Sequence, residues 1–314
     1  MLIHLRTETC FVAASAMLVL FACTASADKQ ASPTPPAPPS TPAKPSPPAS
    51  KPAAQADASS PDARGRAVLN AQLAALANED AFAATFAKQA TVLTPIGSNE
   101  VHAPNAGVAA AVAFRNPHAE VKSATFDRFT AGGNAQVAWF AAELQITVTS
   151  HEPGSPASTD KHTVRVIELL DGAQDWKVAV GAFTNVGPLY PFGTSSIKDP
   201  TPVGPLANLL LSPDALAGAL ADGAVVFGTK PGERGIGTAD AKALLAKWKK
   251  LAITLDAKSN VHEVRGATYG YAMTNVRIVT KPGAEQLKLS AFVLAVPGAD
   301  GAWSVVGASY GALF

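Results

Sequence analysis

The sequence predicts an α+β fold made of two copies of one small domain, and three observations carry that prediction. Four landmarks recur at nearly constant spacing. Asp80-Ala81-Phe82 returns as Asp214-Ala215-Leu216 and Phe114 as Trp248, each 134 residues on, Trp139 returns as Tyr271 after 132, and the turn ending in Trp176 returns as the turn ending in Trp303 after 127. The shortfall is a loop that the second copy lacks. Within each copy, stretches of helical period come first and β-branched, aromatic runs come last, which is the order expected of helices packed on one face of a curved, mainly antiparallel sheet. About 250 residues follow Arg64, enough for two domains that each bury a core.

In the first copy, Leu69, Leu73 and Leu76 mark one face of a helix, and a second helix after Asn78-Glu79-Asp80 carries Phe82 and Phe86. A brief strand, Thr91-Val92-Leu93, leads into a further helix ending near Phe114. Strands are expected over residues 136–149, 163–170 and 176–183. The second copy repeats the plan. Leu206, Leu209 and Leu210 form a shorter helix, Ser212-Pro213-Asp214 caps the next, and Val225-Val226-Phe227 is the short strand. Ala241, Leu244, Leu245, Trp248 and Leu251 then make an apolar helix face, opposite Lys242, Lys249 and Lys250, which read as a solvated face. Strands follow over 268–280, 287–296 and 303–309. The first copy is expected to fold alone, and the second, with its shorter helix, to lean on its neighbour.

Residues 1–23 read as an export signal, with Arg6 ahead of an apolar run from Phe11 to Phe21 that is too short to span a bilayer. Leu20-Phe21-Ala22-Cys23 fits a bacterial lipobox, so Cys23 is the expected lipidation site and the membrane the expected partner through that anchor. Ala25-Ser26-Ala27 is a rival cut site that would release a soluble exported protein beginning at Asp28. Cys10 leaves with the signal in either case, so no disulfide framework is available and stability must come from core burial. Residues 24–63 hold 11 of the 25 prolines, mixed with Ala, Ser and Lys. Such a segment cannot build a core. Extended at ~3.1 Å per residue it reaches roughly 120 Å, as a tether would.

The order of elements, with Glu79-Asp80-Ala81-Phe82, the run Phe86 to Pro95 and the ending Asp171-Gly172 to Trp176-Lys177-Val178, resembles the NTF2-like superfamily, in its SnoaL-like and ketosteroid-isomerase-like branches. In the second copy Asp222-Gly223-Ala224-Val225-Val226-Phe227 and Asp300-Gly301-Ala302-Trp303-Ser304-Val305 carry the likeness. The resemblance implies two cone-shaped domains, residues 64–196 and 197–314, each enclosing a pocket. It implies no reaction, because this fold hosts enzymes, ligand binders and interaction domains.

Net charge is +1 and only 16% of residues are charged against a usual ~25%, which excludes an electrostatic footprint for nucleic acid. Gly307-Ala308-Ser309-Tyr310-Gly311 matches the nucleophile-elbow pattern, yet no His or acid lies between Ser309 and Phe314 to complete a triad. Gly228, Gly232, Gly235 and Gly237 lack the Gly-Lys-Ser/Thr of a phosphate loop and read as a flexible connection. The six histidines are scattered, so no metal or other cofactor is expected. Enzymes of the resembled family use a pocket carboxylate as base, and the closing strands carry no acid. The one weak catalytic candidate is Glu143, on the strand face of Trp139 and Ala141. Its other reading is a solvent-side residue paired with Arg165 across the sheet. The expectation is a non-catalytic, envelope-tethered protein whose pockets, walled by Trp139, Val180, Phe183, Tyr271 and Val305, take a small apolar ligand or protein partner. The alternative is a SnoaL-like cyclase or isomerase with the first copy active and the second degenerate.

Overall fold

The computed structural model describes residues 59–93, 100–101, 119–151, 156–186, 191–192, 203–255, 261–279, 286–298 and 301–312. The export signal, Cys23, most of the Pro-rich segment and the helix expected near Phe114 lie outside the described residues.

The first copy opens with helix α1, Pro61–Ala74, where Ser60 accepts from the Ala63 N–H and proline occupies the first turn. Asn78 caps α2, Glu79–Ala83, in the same way. That helix is shorter than its spacing predicts: Phe82 ends it on the buried side, Thr85 turns its hydroxyl back on the Phe82 carbonyl, and Phe86 begins strand β1, Phe86–Leu93. Phe82 and Phe86 still meet, ring centres 5.6 Å apart. After β2, Glu100–Val101, come four long strands: β3 (Ala119–Gly133), β4 (Val137–Ser150), β5 (Ser158–Asp171) and β6 (Lys177–Val186). β3 is absent from the sequence reading for a physical reason. Two register shifts against β4 and a left-handed Arg128 (φ 54°) interrupt the period-two pattern that identifies a strand.

β7, Pro191–Phe192, leads to the second copy. Its helices α3 (Pro205–Leu211) and α4 (Pro213–Gly218) precede β8 (Leu220–Phe227) and β9 (Arg234–Ile236), and α5 (Thr238–Trp248) follows them. The strands β10 (Ala252–Leu255), β11 (His262–Arg265), β12 (Gly270–Val279), β13 (Gln286–Pro297) and β14 (Trp303–Ala312) finish it.

The repetition extends to hydrogen-bond register. β1 runs parallel to β6 with Phe86 opposite Val178 and Thr91 opposite Val180; β8 runs parallel to β14 with Leu220 opposite Val305 and Val225 opposite Gly307. Both pairings slip at the same place. Each β1 position returns 134 residues later and each β6 position 127 later, which are the intervals between the sequence landmarks. The architecture is α+β, two cone-shaped units with their helices ahead of a curved, mainly antiparallel sheet, joined edge to edge in the order β10-β12-β13-β14-β6-β5-β4-β3. In strand pairing the joint is narrow among the described residues, Ala312 of β14 opposite Asn185 of β6.

Three cores result. Leu69, Phe82, Phe86, Phe140, Val166 and Phe183 fill the first unit, and Leu206, Leu216, Leu245, Trp248, Val293 and Tyr310 the second. A third is shared: Val137, Trp139, Ile167, Leu169 and Val180 of the first unit pack with Val225, Phe227, Tyr271, Met273 and Phe292 of the second. The central strands of each unit are therefore buried on both faces, against its own helices on one and against the other copy on the other. This layer gives both units, not the second alone, an apolar face that separation would expose.

Candidate ligand site and a buried charge cluster

A cavity of about 110 Å³ lies inside the second unit, walled by Trp248, Leu251, Ile253, Ile278, Leu287, Leu289 and Tyr310. Trp248 comes from α5, Ile253 from β10, and the rest of the wall mainly from β12, β13 and β14, so one helix and four strands set its shape. Trp248 stands edge-on to Tyr310 with ring centres 5.3 Å apart, and the Tyr310 hydroxyl donates to the Leu210 carbonyl at 2.9 Å. Burial holds that phenol well above its ordinary pKa, leaving it a neutral, committed donor.

The polar part of the lining, the mouth loop, is the segment between β8 and β9, through Gly228, Thr229, Lys230 and Glu233, with Lys230 exposed. The Glu233 carboxylate accepts from the Thr229 and Lys230 N–H groups at 3.1 and 3.2 Å, which closes the loop on itself. Two of the four glycines here, Gly228 and Gly235, are closely fitted, while Gly232 and Gly237 have open space around them. A Cβ on Gly228 would lie 2.5 Å from the Trp248 ring, and one on Gly235 would lie 2.4 Å from the Ala241 backbone at the start of α5. The sequence pattern marks the glycines but not the close approach that requires them.

None of the five expected pocket residues lines this cavity. Trp139, Val180 and Tyr271 belong to the shared core, Phe183 to the core of the first unit, and Val305 to that of the second. Alternation groups residues onto one face but does not say which face meets the helices when both are buried. On β4 the face of Ala138, Phe140 and Ala142 meets them, and the face of Trp139 and Ala141 meets the other copy. The Tyr271 hydroxyl bonds across that boundary to Thr91 on β1 at 3.0 Å, and His262 Nε2 lies 3.0 Å from the same hydroxyl.

Glu143 lies on the shared face as well. It is paired with Arg165 in register and is 5% exposed, so the pair is buried and not at the solvent side. Arg165 Nε donates to one carboxylate oxygen at 3.1 Å and Arg234 Nη1 to the other at 3.1 Å. The remaining Arg165 donors cross to the mouth loop: Nη1 to the Gly228 carbonyl, Nη2 to those of Lys230 and Pro231 at 2.9 and 3.2 Å. Burial lowers the Arg165 pKa and Glu143 opposes that, yet a guanidinium stays charged. Both carboxylate oxygens of Glu143 are thus taken up by arginine donors, a structural role.

The carboxyl that sequence reasoning missed is Glu168, on β5. It is fully buried in the first unit, and Gln72 on α1 donates to its two oxygens at 2.9 and 3.0 Å. Burial raises its pKa to about 8 against the weaker opposing effect of the Gln72 bond, so it is largely protonated at neutral pH. Gln72 Oε1 has no partner in this orientation of the amide. Turning the amide over offers that oxygen to the O–H of a protonated Glu168. A signal was present in the sequence, an isolated acid in Val164 to Leu170 that alternation places with Val164, Val166 and Leu170.

Ser309 of the elbow-like pattern is a buried β14 residue, 2.6 Å from the Thr184 hydroxyl of β6. Among the described residues no three His, Cys, Asp or Glu side chains gather as a metal site, and no helix is long and apolar enough to cross a membrane.

No protein-family model matches the chain, and no curated protein matches its sequence. Among solved structures it is similar to a ketosteroid isomerase-like protein from Erwinia carotovora atroseptica, at 16% identity over 39% of this chain and 94% of that one, with a TM-score of 0.32. It is similar also to an NTF2-like protein from Cytophaga hutchinsonii, at 15% identity over 38% of this chain and 94% of that one, TM-score 0.30. The third is Aln2 from a Streptomyces species, at 19% identity over 38% of this chain and 86% of that one, TM-score 0.30.

Proposed function

We propose that the chain is an envelope-tethered binding protein of two NTF2-like domains, residues 64–196 and 197–314, that takes a small apolar ligand, or the apolar end of a larger one, in the cavity of the second domain. The cavity wall carries the reading: seven apolar or aromatic side chains converge on about 110 Å³, while the one carboxylate at the mouth, Glu233, is spent on two loop N–H groups. At about 110 Å³ the cavity is smaller than the ~150 Å³ one that holds benzene, so its occupant is at most a single ring or a short alkyl segment, bound by area burial without turnover.

Toluene is the direct probe. Titrated into the mature chain, it is expected to shift the methyl resonances of Ile253 and Ile278 while leaving those of Ile146 and Ile167 in place. Ile278→Trp should fill the space and weaken binding by at least about tenfold, the worth of ~1.4 kcal/mol. Absence of saturable shifts, or shifts spread evenly over all four methyls, would overturn the reading.

Tethering is tested separately. Cys23→Ser is expected to move the protein from the membrane fraction to the soluble one; unchanged sedimentation with membranes would defeat the lipid anchor.

A second reading has one observation in its favour, the protonated Glu168 inside the first domain. A proton-transfer site there would fit a SnoaL-like cyclase or isomerase. Against it stands Gln72, which occupies both carboxyl oxygens and would have to be displaced by a substrate. Ligand shifts centred on Ile146 instead of Ile253 and Ile278 would favour it.

A further inference from the structure

We infer that the first domain holds the mouth of the second domain's cavity in its binding shape through Arg165, which acts as a positioning residue for a ligand it does not touch. The inference rests on the cavity being the ligand site and adds the part that the first domain plays in it.

The mouth loop has two edges, and each is fixed by a different group. Its N–H edge is closed internally by Glu233, which accepts from Thr229 and Lys230. Its carbonyl edge faces the first domain, where the Arg165 guanidinium takes the carbonyls of Gly228, Lys230 and Pro231. Those carbonyls satisfy Arg165 and in return are held at fixed spacing by a planar fork. The Arg165 side chain is itself immobile. It is fully buried, and its Nε is anchored on Glu143, whose other oxygen holds Arg234 at the first position of β9. The mouth loop is thus gripped in its middle by Arg165 and just beyond its end by the same buried carboxylate.

This cluster is one-sided. Asn275 stands 132 residues after Glu143 and lies opposite Ser290 on β13, an uncharged pair that has no guanidinium to extend to the other domain. Gly228 ties the clasp to the cavity directly, because its carbonyl accepts from Arg165 while its α-carbon packs against the Trp248 ring. Loss of the clasp frees the loop that lines the cavity beside Trp248, so a bound apolar group escapes faster. By linkage, occupancy of the cavity must also be felt at the guanidinium.

The test uses the mature full chain and toluene. In the wild type, saturation with toluene is expected to shift the Arg165 Nε–Hε resonance together with the methyls of Ile253 and Ile278. Arg165→Lys keeps a positive charge for Glu143 but loses the fork. It is expected to weaken toluene binding about tenfold through faster dissociation, with Ile146 in the first domain's own core unmoved in the unliganded spectrum. An Arg165 resonance indifferent to toluene, or wild-type affinity in a folded Arg165→Lys chain, would overturn the inference while leaving the cavity as the ligand site. If Arg165→Lys does not fold, the wild-type arginine resonance decides alone. If toluene does not bind the wild type, the cavity reading and this inference fall together.

Discussion

Glu168→Gln is expected to leave stability nearly unchanged near pH 4.5 and to raise it by about 4–5 kcal/mol relative to the wild type above pH 8. The sign follows from where the protons sit. In the unfolded chain the carboxyl ionises near its ordinary value of 4.5, whereas in the folded chain burial holds it protonated to about 8. Between those values the folded state binds the extra proton, so wild-type stability is highest below pH 4.5, falls as pH rises, and reaches its full loss once the folded group ionises near pH 8. Glutamine has nearly the shape of the neutral acid and does not titrate. The variant should therefore show no such slope between pH 4.5 and 8. Urea midpoints measured across that range check it, and parallel pH profiles for the two proteins would mean that Glu168 is not held protonated. A lone buried carboxyl that weakens the fold at alkaline pH is also the feature that a proton-transfer function would need to justify.

The fold was legible where one physical rule acted alone. Cap residues Ser60, Asn78 and Ser212 sit at helix starts as their side-chain chemistry predicts, and the spacing of Phe82 and Leu216 located equivalent buried helix positions. The recurring Trp and Tyr marked equivalent strands. Legibility failed where two rules competed. Phe86 continues a helical spacing and also begins a strand, and parallel pairing with Val178 in a buried sheet outweighs the propensity of one more helical turn. β3 was hidden by its own bulges. The pocket wall was hidden for a different reason: strand alternation is symmetric between faces, so Trp139 and Tyr271 read as pocket residues when they build the contact between the copies. Nothing in one copy's sequence announces that its outer sheet face is covered by the other. The cavity wall was partly readable, since Trp248 and Leu251 stand on the expected apolar helix face. Its mouth was not, because the Gly228 to Glu233 loop owes its shape to Arg165, more than 60 positions earlier in the chain.

The shared core carries the second large effect. Phe292, fully buried on β13, is expected to cost about 3–5 kcal/mol when replaced by Ala, as much as Phe82→Ala in the first domain's own core. The two differ in what they report. If the domains were independent modules on one chain, Phe82→Ala would melt the first alone, and unfolding would split into two steps. The geometry argues otherwise. Trp139, Ile167, Phe227, Met273 and Phe292 belong to one apolar layer, and the buried Arg165 finds three of its acceptors across the boundary. Unfolding one domain would expose that layer and strand the guanidinium without its loop carbonyls, a cost the other domain would have to bear. In urea, the methyl signals of Ile146 and Ile167 are therefore expected to disappear together with those of Ile253 and Ile278, in the wild type and in both variants. Loss of the first pair at lower urea in Phe82→Ala, with the second pair intact, would show that the shared layer is too weak to couple the domains. It would also remove the mechanical basis for a clasp reaching from one domain to the other's ligand site.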